Sequence, residues 1–144
     1  MTSQQTTDHR QNADVFTGEV CKQKSKELLA SISLPKGLLP LDDIVEVGHN
    51  KSTGFVWLKQ KRRKNHKFRK IGKTVSYDTE VTAFVEERRM RRLTGVKSKE
   101  LLIWITVTDI YIDDVSSGKI TFGTATGISR SFPVSAFEAD DDEN

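Results

Sequence analysis

Cysteine is almost missing from this 144-residue chain. Cys21 is the single one, so no internal disulfide can brace the fold. The chain therefore does not depend on an oxidising compartment. No run of eighteen apolar residues occurs, which excludes a membrane-spanning helix. The start, Met1-Thr2-Ser3-Gln4-Gln5, stays polar through Asn12. A secretory leader needs an apolar stretch behind a basic start, so none is expected here. Thr2 stands where myristoylation requires glycine. These absences lead to the expectation of an intracellular, cytoplasmic protein. A nuclear location is the alternative, because Lys61-Arg62-Arg63-Lys64 has the composition of an import signal.

Motifs of catalysis and metal binding are scarce too. The three histidines, His9, His49 and His66, have no metal-ligand spacing, and no metal or cofactor is expected. No G-x-S-x-G nucleophile elbow is present, although Ser129 and Ser131 follow Gly127. Gly72-Lys73-Thr74 imitates the end of a phosphate loop, but Lys67 stands where the first glycine belongs. Asp42-Asp43 and Asp113-Asp114 are adjacent pairs whose side chains diverge on an extended chain, so turn formation is their expected role. Asn50-Lys51-Ser52 matches a glycosylation acceptor that has no use without a secretory route.

What the chain does have is charge, unevenly placed. Residues 1–58 carry 6 basic and 7 acidic side chains, residues 59–97 carry 14 and 4, and residues 98–144 carry 3 and 9. The expected consequence is a polarised surface, or an acidic tail that folds back over a basic one.

Periodicity divides the chain. Residues 1–13 are polar and aperiodic and are expected to be disordered. From Gly18 to Ile32 the apolar residues Val20, Leu28, Leu29 and Ile32 can share one helical stripe. Leu34-Pro35-Lys36-Gly37-Leu38-Leu39-Pro40 then forms a stiff apolar connector. After Pro40 the period becomes two. Ile44–Val47 and Phe55–Leu58 read as a hairpin about a turn at residues 48–54. Val75 to Val85 alternates cleanly. Arg88 to Arg92 reads as a basic turn. In Leu101 to Ile112, Ile103, Ile105 and Val107 share one face and Ile110 and Ile112 the other. A β-bulge near Thr108-Asp109 would restore the phase. Strands at 119–122 and 128–134 complete the pattern. The expected fold is mostly β: an antiparallel β-barrel or sandwich with one N-terminal helix, a single domain over residues 14–138. The acidic residues 139–144 are expected to form a disordered tail.

The basic run from Lys59 to Lys70 stands above background. Eight cations fall within twelve residues, with Trp57 and Phe68 beside or among them. Three readings compete: a solvated hairpin whose lysines block edge pairing, a docking surface for anionic headgroups, and contact with RNA or DNA.

Three segments resemble one known family. They are Leu34-Pro35-Lys36-Gly37-Leu38-Leu39-Pro40, Gly95-Val96-Lys97-Ser98-Lys99-Glu100-Leu101-Leu102-Ile103-Trp104, and Ser131-Phe132-Pro133-Val134-Ser135-Ala136-Phe137. In order and spacing they resemble the plant protein family of unknown function numbered 538, over about residues 15 to 138. The resemblance implies a β-rich barrel or sandwich preceded by a helix. It also implies a likeness to lipid-binding bactericidal/permeability-increasing domains, a suggested esterase-like role, and a loose association with growth and stress responses. The family has no agreed catalytic residues. Against that resemblance, this chain is expected to differ from many relatives in having no secretory leader and a more basic central run.

Together these readings give the expected function: a non-enzymatic module that binds an amphiphilic or anionic-lipid ligand, or an anionic membrane surface. Lys61, Arg62, Arg63, Lys64 and Arg69 would take the anionic head. Trp57, Ile103 and Ile105, covered by the helix stripe, would line an apolar interior for the tail. The alternatives are a weak esterase-like hydrolase and a nucleic-acid or protein adaptor that uses the basic run.

Overall fold

Two-residue alternation after Pro40 does build strands. In a computed structural model, which describes residues 3–138, the chain forms one antiparallel β-sheet, with one helix before its first strand and another between its first and second strands. The acidic segment 139–144 lies outside the described residues. Among the described residues nine strands make the sheet: β1 (Asp14–Thr17), β2 (Ile44–Asn50), β3 (Phe55–Gln60), β4 (Lys64–Phe68), β5 (Lys73–Glu86), β6 (Arg89–Glu100), β7 (Ile103–Tyr111), β8 (Lys119–Thr124) and β9 (Ser129–Pro133). Their order is β1-β2-β3-β5-β6-β7-β8-β9, and β4 also pairs with β5. The long β5 thus serves two partners along one edge. Phe84 to Glu80 pair with β3, and Tyr77 to Lys73 pair with β4. Among the described residues the ladder does not close into a barrel.

One face of the sheet carries the main core. Val47, Val56, Leu58, Val75, Tyr77, Val81, Val107, Ile110 and Phe122 are buried there. Helix α2 (Cys21–Ser31) lies over it with Leu28, Leu29 and Ile32 inward. Each such aliphatic side chain contributes roughly 1.5–3 kcal/mol when fully buried. Val20, expected on the same stripe, is half-exposed, because a 3₁₀ turn at Gly18–Val20 sets it off the helical phase. The connector after α2 is as buried as the helix: Leu34, Leu38, Leu39 and Leu41 are all in the core. Polar bonds tie it to the sheet. The buried Tyr77 hydroxyl donates to Leu38 O at 2.9 Å. Gln60 Oε1 accepts from Asp42 N, while its Nε2 donates to Tyr77 O and Asp78 O.

The β-bulge expected near Thr108-Asp109 is present. Val107 pairs with Thr124 and Asp109 with Gly123, so Thr108 is the extra residue, and both Val107 and Ile110 reach the core. The basic segment 88–92, expected as a turn, mostly belongs to the twelve-residue strand β6. Gly95 interrupts its alternation: φ is +81°, and a Cβ there would meet Glu80 O at 2.3 Å.

The opposite face has a cover of its own. Where the sequence suggests disorder over residues 1–13, the structure has helix α1 (Gln4–His9). Ser3 caps it by accepting from Thr6 N. Thr6, fully buried, donates to Glu80 at 2.9 Å. The His9 ring stacks on Phe55 at 4.4 Å, and Arg10 lies over Trp57. Six residues of weak helical propensity are held by these tertiary contacts, which a local pattern cannot reveal.

Candidate anion-binding groove

Where α2, the connector, β4 and the last 3₁₀ turn (Val134–Phe137) meet, they leave a groove of about 620 Å³. Its floor is apolar, built from Leu39, Leu41, Ile44, Phe68 and Phe137. Phe137 fixes this floor. Its ring lies 4.7 Å from Phe68 of β4 and 5.4 Å from Phe122 of β8, bridging two regions of the sheet that share no ladder. Its carbonyl accepts from Gly37 N at 2.8 Å, which pins the turn to the connector.

The rim is cationic. Lys22 and Lys26, one turn apart on the polar side of α2, line it. Lys36 reaches it from the connector. From β4 and the turn after it come Lys64, Lys67, Arg69 and Lys70. Lys64 and His66 share the β4 face that buries Phe68, so both sit on the groove side of the strand. Among the described residues a single carboxylate lines the groove against these cations, Asp42, which pairs with Lys64 at 3.1 Å. Lys70 donates to Ser135 O at 3.2 Å. Among the described residues, Lys22, Lys26, Lys36, Lys67 and Arg69 have no ion pair.

The expected head-binding residues divide. Lys64 and Arg69 line the groove. Arg62 and Arg63, with Lys64, Asp42 and Asp43, surround a smaller hollow of about 250 Å³ at the β3–β4 corner. Lys61 lines neither; its amide donates to Asp43 O. Sequence reading missed Lys22, Lys26 and Lys36, which are remote from the basic run along the chain. The i, i+4 lysines on the polar face of the helix were the available signal.

The expected apolar interior is not assembled from Trp57, Ile103 and Ile105. Trp57 is fully buried, but on the face opposite α2, where Arg10 covers it. Its indole N–H donates to Glu46 at 2.7 Å. Ile103 pairs with Glu100 beside the β6–β7 turn and is 61% exposed, and Ile105 is half-buried. β8 begins pairing only at Val107, so the hairpin that carries both isoleucines overhangs its neighbour. The floor residues that replace these three are the leucines of the connector and two phenylalanines.

Other chemical groups lie apart from the groove floor. Cys21 is fully buried; burial raises its thiol pKa first, the Glu46 charge adds to this, and the thiol faces Phe16 O. His49 is held below its ordinary range by burial and then by Lys51, with Asp14 opposing. The Ser131 hydroxyl pairs with that of Thr121 at 2.7 Å on an exposed strand. Among the described residues no group of three or more His, Cys, Asp or Glu side chains is placed to hold a metal ion.

Two of the three recognised segments meet at the Gly37–Phe137 bond, and the third is the overhanging hairpin. Residues 25–138 match the model of a family described as "Protein of unknown function, DUF538". The chain belongs to this family. The matched DUF538 region takes in the connector, β4 and the closing turn, hence most of the groove; Lys22 falls just before it. No curated protein and no solved structure matches the chain.

Proposed function

We propose that this DUF538 domain binds an amphiphilic ligand with an anionic head in the groove between α2 and β4. One observation carries the reading: cations from three separate elements converge over a buried apolar floor. Placing like charges together is unfavourable, and an anion lying among them removes that repulsion. The volume is that of a small-molecule site. Lys22, Lys26, Lys36, Lys64 and Arg69 would take the head, and Ile44, Phe68 and Phe137 would face the start of the tail.

Titration calorimetry with dodecyl phosphate below its micelle concentration tests this. The domain should bind it about tenfold or more tighter than dodecyl maltoside or inorganic phosphate. Lys22→Glu combined with Lys26→Glu should weaken it by a further tenfold or so, since each near-surface cation is worth about 1 kcal/mol. Equal affinity for the charged and uncharged amphiphile would overturn the reading. Tighter binding to a single-stranded RNA oligonucleotide, with a steep salt dependence, would replace it by nucleic-acid contact.

A further inference from the structure

The overhanging β6–β7 hairpin ends in an unusual turn. Glu100 pairs with Ile103, so Leu101 and Leu102 form a two-residue loop. Leu101 has φ +57°, a conformation that glycine ordinarily supplies in such loops. Both leucines are more than nine-tenths exposed. A strained backbone position occupied by a large apolar side chain in water yields no internal packing. Ile103 and Trp104 follow, both exposed, and Ile128 is exposed in the next turn, between β8 and β9. Ala125 N donates to Thr106 O, which places that turn beside the root of the hairpin.

Charge at this end of the sheet has one dominant sign. Register puts the β4–β5 turn next to the hairpin, because Lys73 meets Glu100 at 2.6 Å. Arg69 and Lys70 lie in that turn. Lys97 and Lys99 stand on the β6 face that Trp104 shares, with Lys99 Nζ 5.8 Å from the Trp104 ring. Arg130 reaches Glu100 from β9 at 3.1 Å. Glu100 is thus neutralised twice over, by Lys73 and Arg130, while Lys97 and Lys99 have no ion pair among the described residues.

We infer that this end of the sheet docks on an anionic bilayer, with Leu101 and Leu102 entering the acyl region. Trp104 then sits at headgroup depth, where an indole with one polar edge is most at home. Lys97, Lys99, Arg69 and Lys70 meet the lipid phosphates, and their long stems let the charge stay outside the hydrocarbon. A tight hairpin suits this insertion, because its backbone pairs with itself and leaves few amides to desolvate. Arg69 and Lys70 also line the groove rim, whereas Leu101, Leu102, Trp104, Lys97 and Lys99 do not, and the inference does not require the groove to be filled.

Sedimentation with large vesicles of phosphatidylcholine, with and without phosphatidylserine, tests it. The full chain should pellet with the phosphatidylserine vesicles and far less with phosphatidylcholine alone. Leu101→Ser with Leu102→Ser should cut the bound fraction by about tenfold, because both side chains leave the hydrocarbon. That variant should keep the wild-type circular dichroism and its affinity for dodecyl phosphate. Lys97→Glu with Lys99→Glu should remove the preference for phosphatidylserine. Trp57 is buried, so quenching of tryptophan emission by acrylamide reports mainly on Trp104, and it should fall when vesicles are added. Three results would overturn the inference. The wild type could stay in the supernatant with both vesicle types. The two serine substitutions could leave sedimentation unchanged. A concentration-dependent dimer that vanishes in the serine variant, without vesicle binding, would make a second copy the occupant of the tip. Dodecyl phosphate binding is scored separately, so loss of vesicle binding alone leaves the groove reading intact.

Discussion

The ring of Trp57 lies flat across Gly48: a Cβ built on Gly48 would fall 2.2 Å from the ring's Cζ2. The two residues are direct partners on β2 and β3. No side chain fits between them, and Trp57 cannot tilt away without losing its bond to Glu46 at 2.7 Å. Gly48→Ala should therefore lower unfolding free energy by roughly 1–3 kcal/mol, the usual cost of forcing extra volume into a packed region. Urea denaturation followed by tryptophan emission measures it. A midpoint equal to that of the wild type would show that the ring has room to move.

Acid should loosen the cover over this same ring. The Arg10 hydrogen bond holds the Glu46 carboxyl below its ordinary value; burial opposes this, and the Trp57 N–H and the Arg10 charge assist. A depressed carboxyl means that the unfolded chain takes up the proton more readily. Stability from this group is therefore complete above the ordinary carboxylate range and is lost as pH falls through the folded value. Arg10 is about half exposed, so the contribution stays below about 1 kcal/mol. Glu46→Gln should flatten the acid side of the stability–pH curve. Urea midpoints measured from neutral pH into acid would expose a slope that survives the substitution.

Phe137→Ala should be costly for its size. The ring is 1% exposed and touches Phe68, Phe122 and Phe132 at once. Truncation should cost about 3–5 kcal/mol. It should also weaken dodecyl phosphate binding, because the groove loses part of its floor. Calorimetric unfolding and the titration described above check the two effects independently.

Leu101→Gly should act in the opposite direction on stability. The leucine packs against almost nothing and holds a left-handed backbone that costs an L-residue roughly 1–2 kcal/mol. Glycine removes that strain but adds freedom to the unfolded chain, leaving a net gain of about 0.5–1 kcal/mol. Thermal unfolding would register a rise in midpoint; a fall would mean that the side chain has a partner in the folded protein.

Much of the sheet was legible because its core residues follow a simple rhythm. The phase slip between Val107 and Ile110 even located the bulge at Thr108. Legibility failed where burial is not the organising force. The start of β6 reads as a charged turn because Arg89, Arg91 and Arg92 dominate it, yet their guanidinium groups lie over the rings of Tyr111 and Phe84. Helix α1 escaped because its stability comes from Glu80 and Phe55, both far along the chain. The groove was half legible. Lys64 and Arg69 belong to a conspicuous run, whereas Lys22, Lys26 and Lys36 join them only through the path of the connector. Ile103 misled, since an apolar residue in an alternating segment reads as core until the neighbouring strand proves too short to cover it.

The bond from Gly37 to Phe137 joins positions roughly a hundred residues apart. During synthesis, α2 and its leucine-rich connector leave the ribosome long before the ring that will seal against them. For that interval the leucines of the connector lack the ring that packs beside them in the finished fold. The groove therefore cannot be complete until residue 137 has been made, because Phe137 supplies part of its floor.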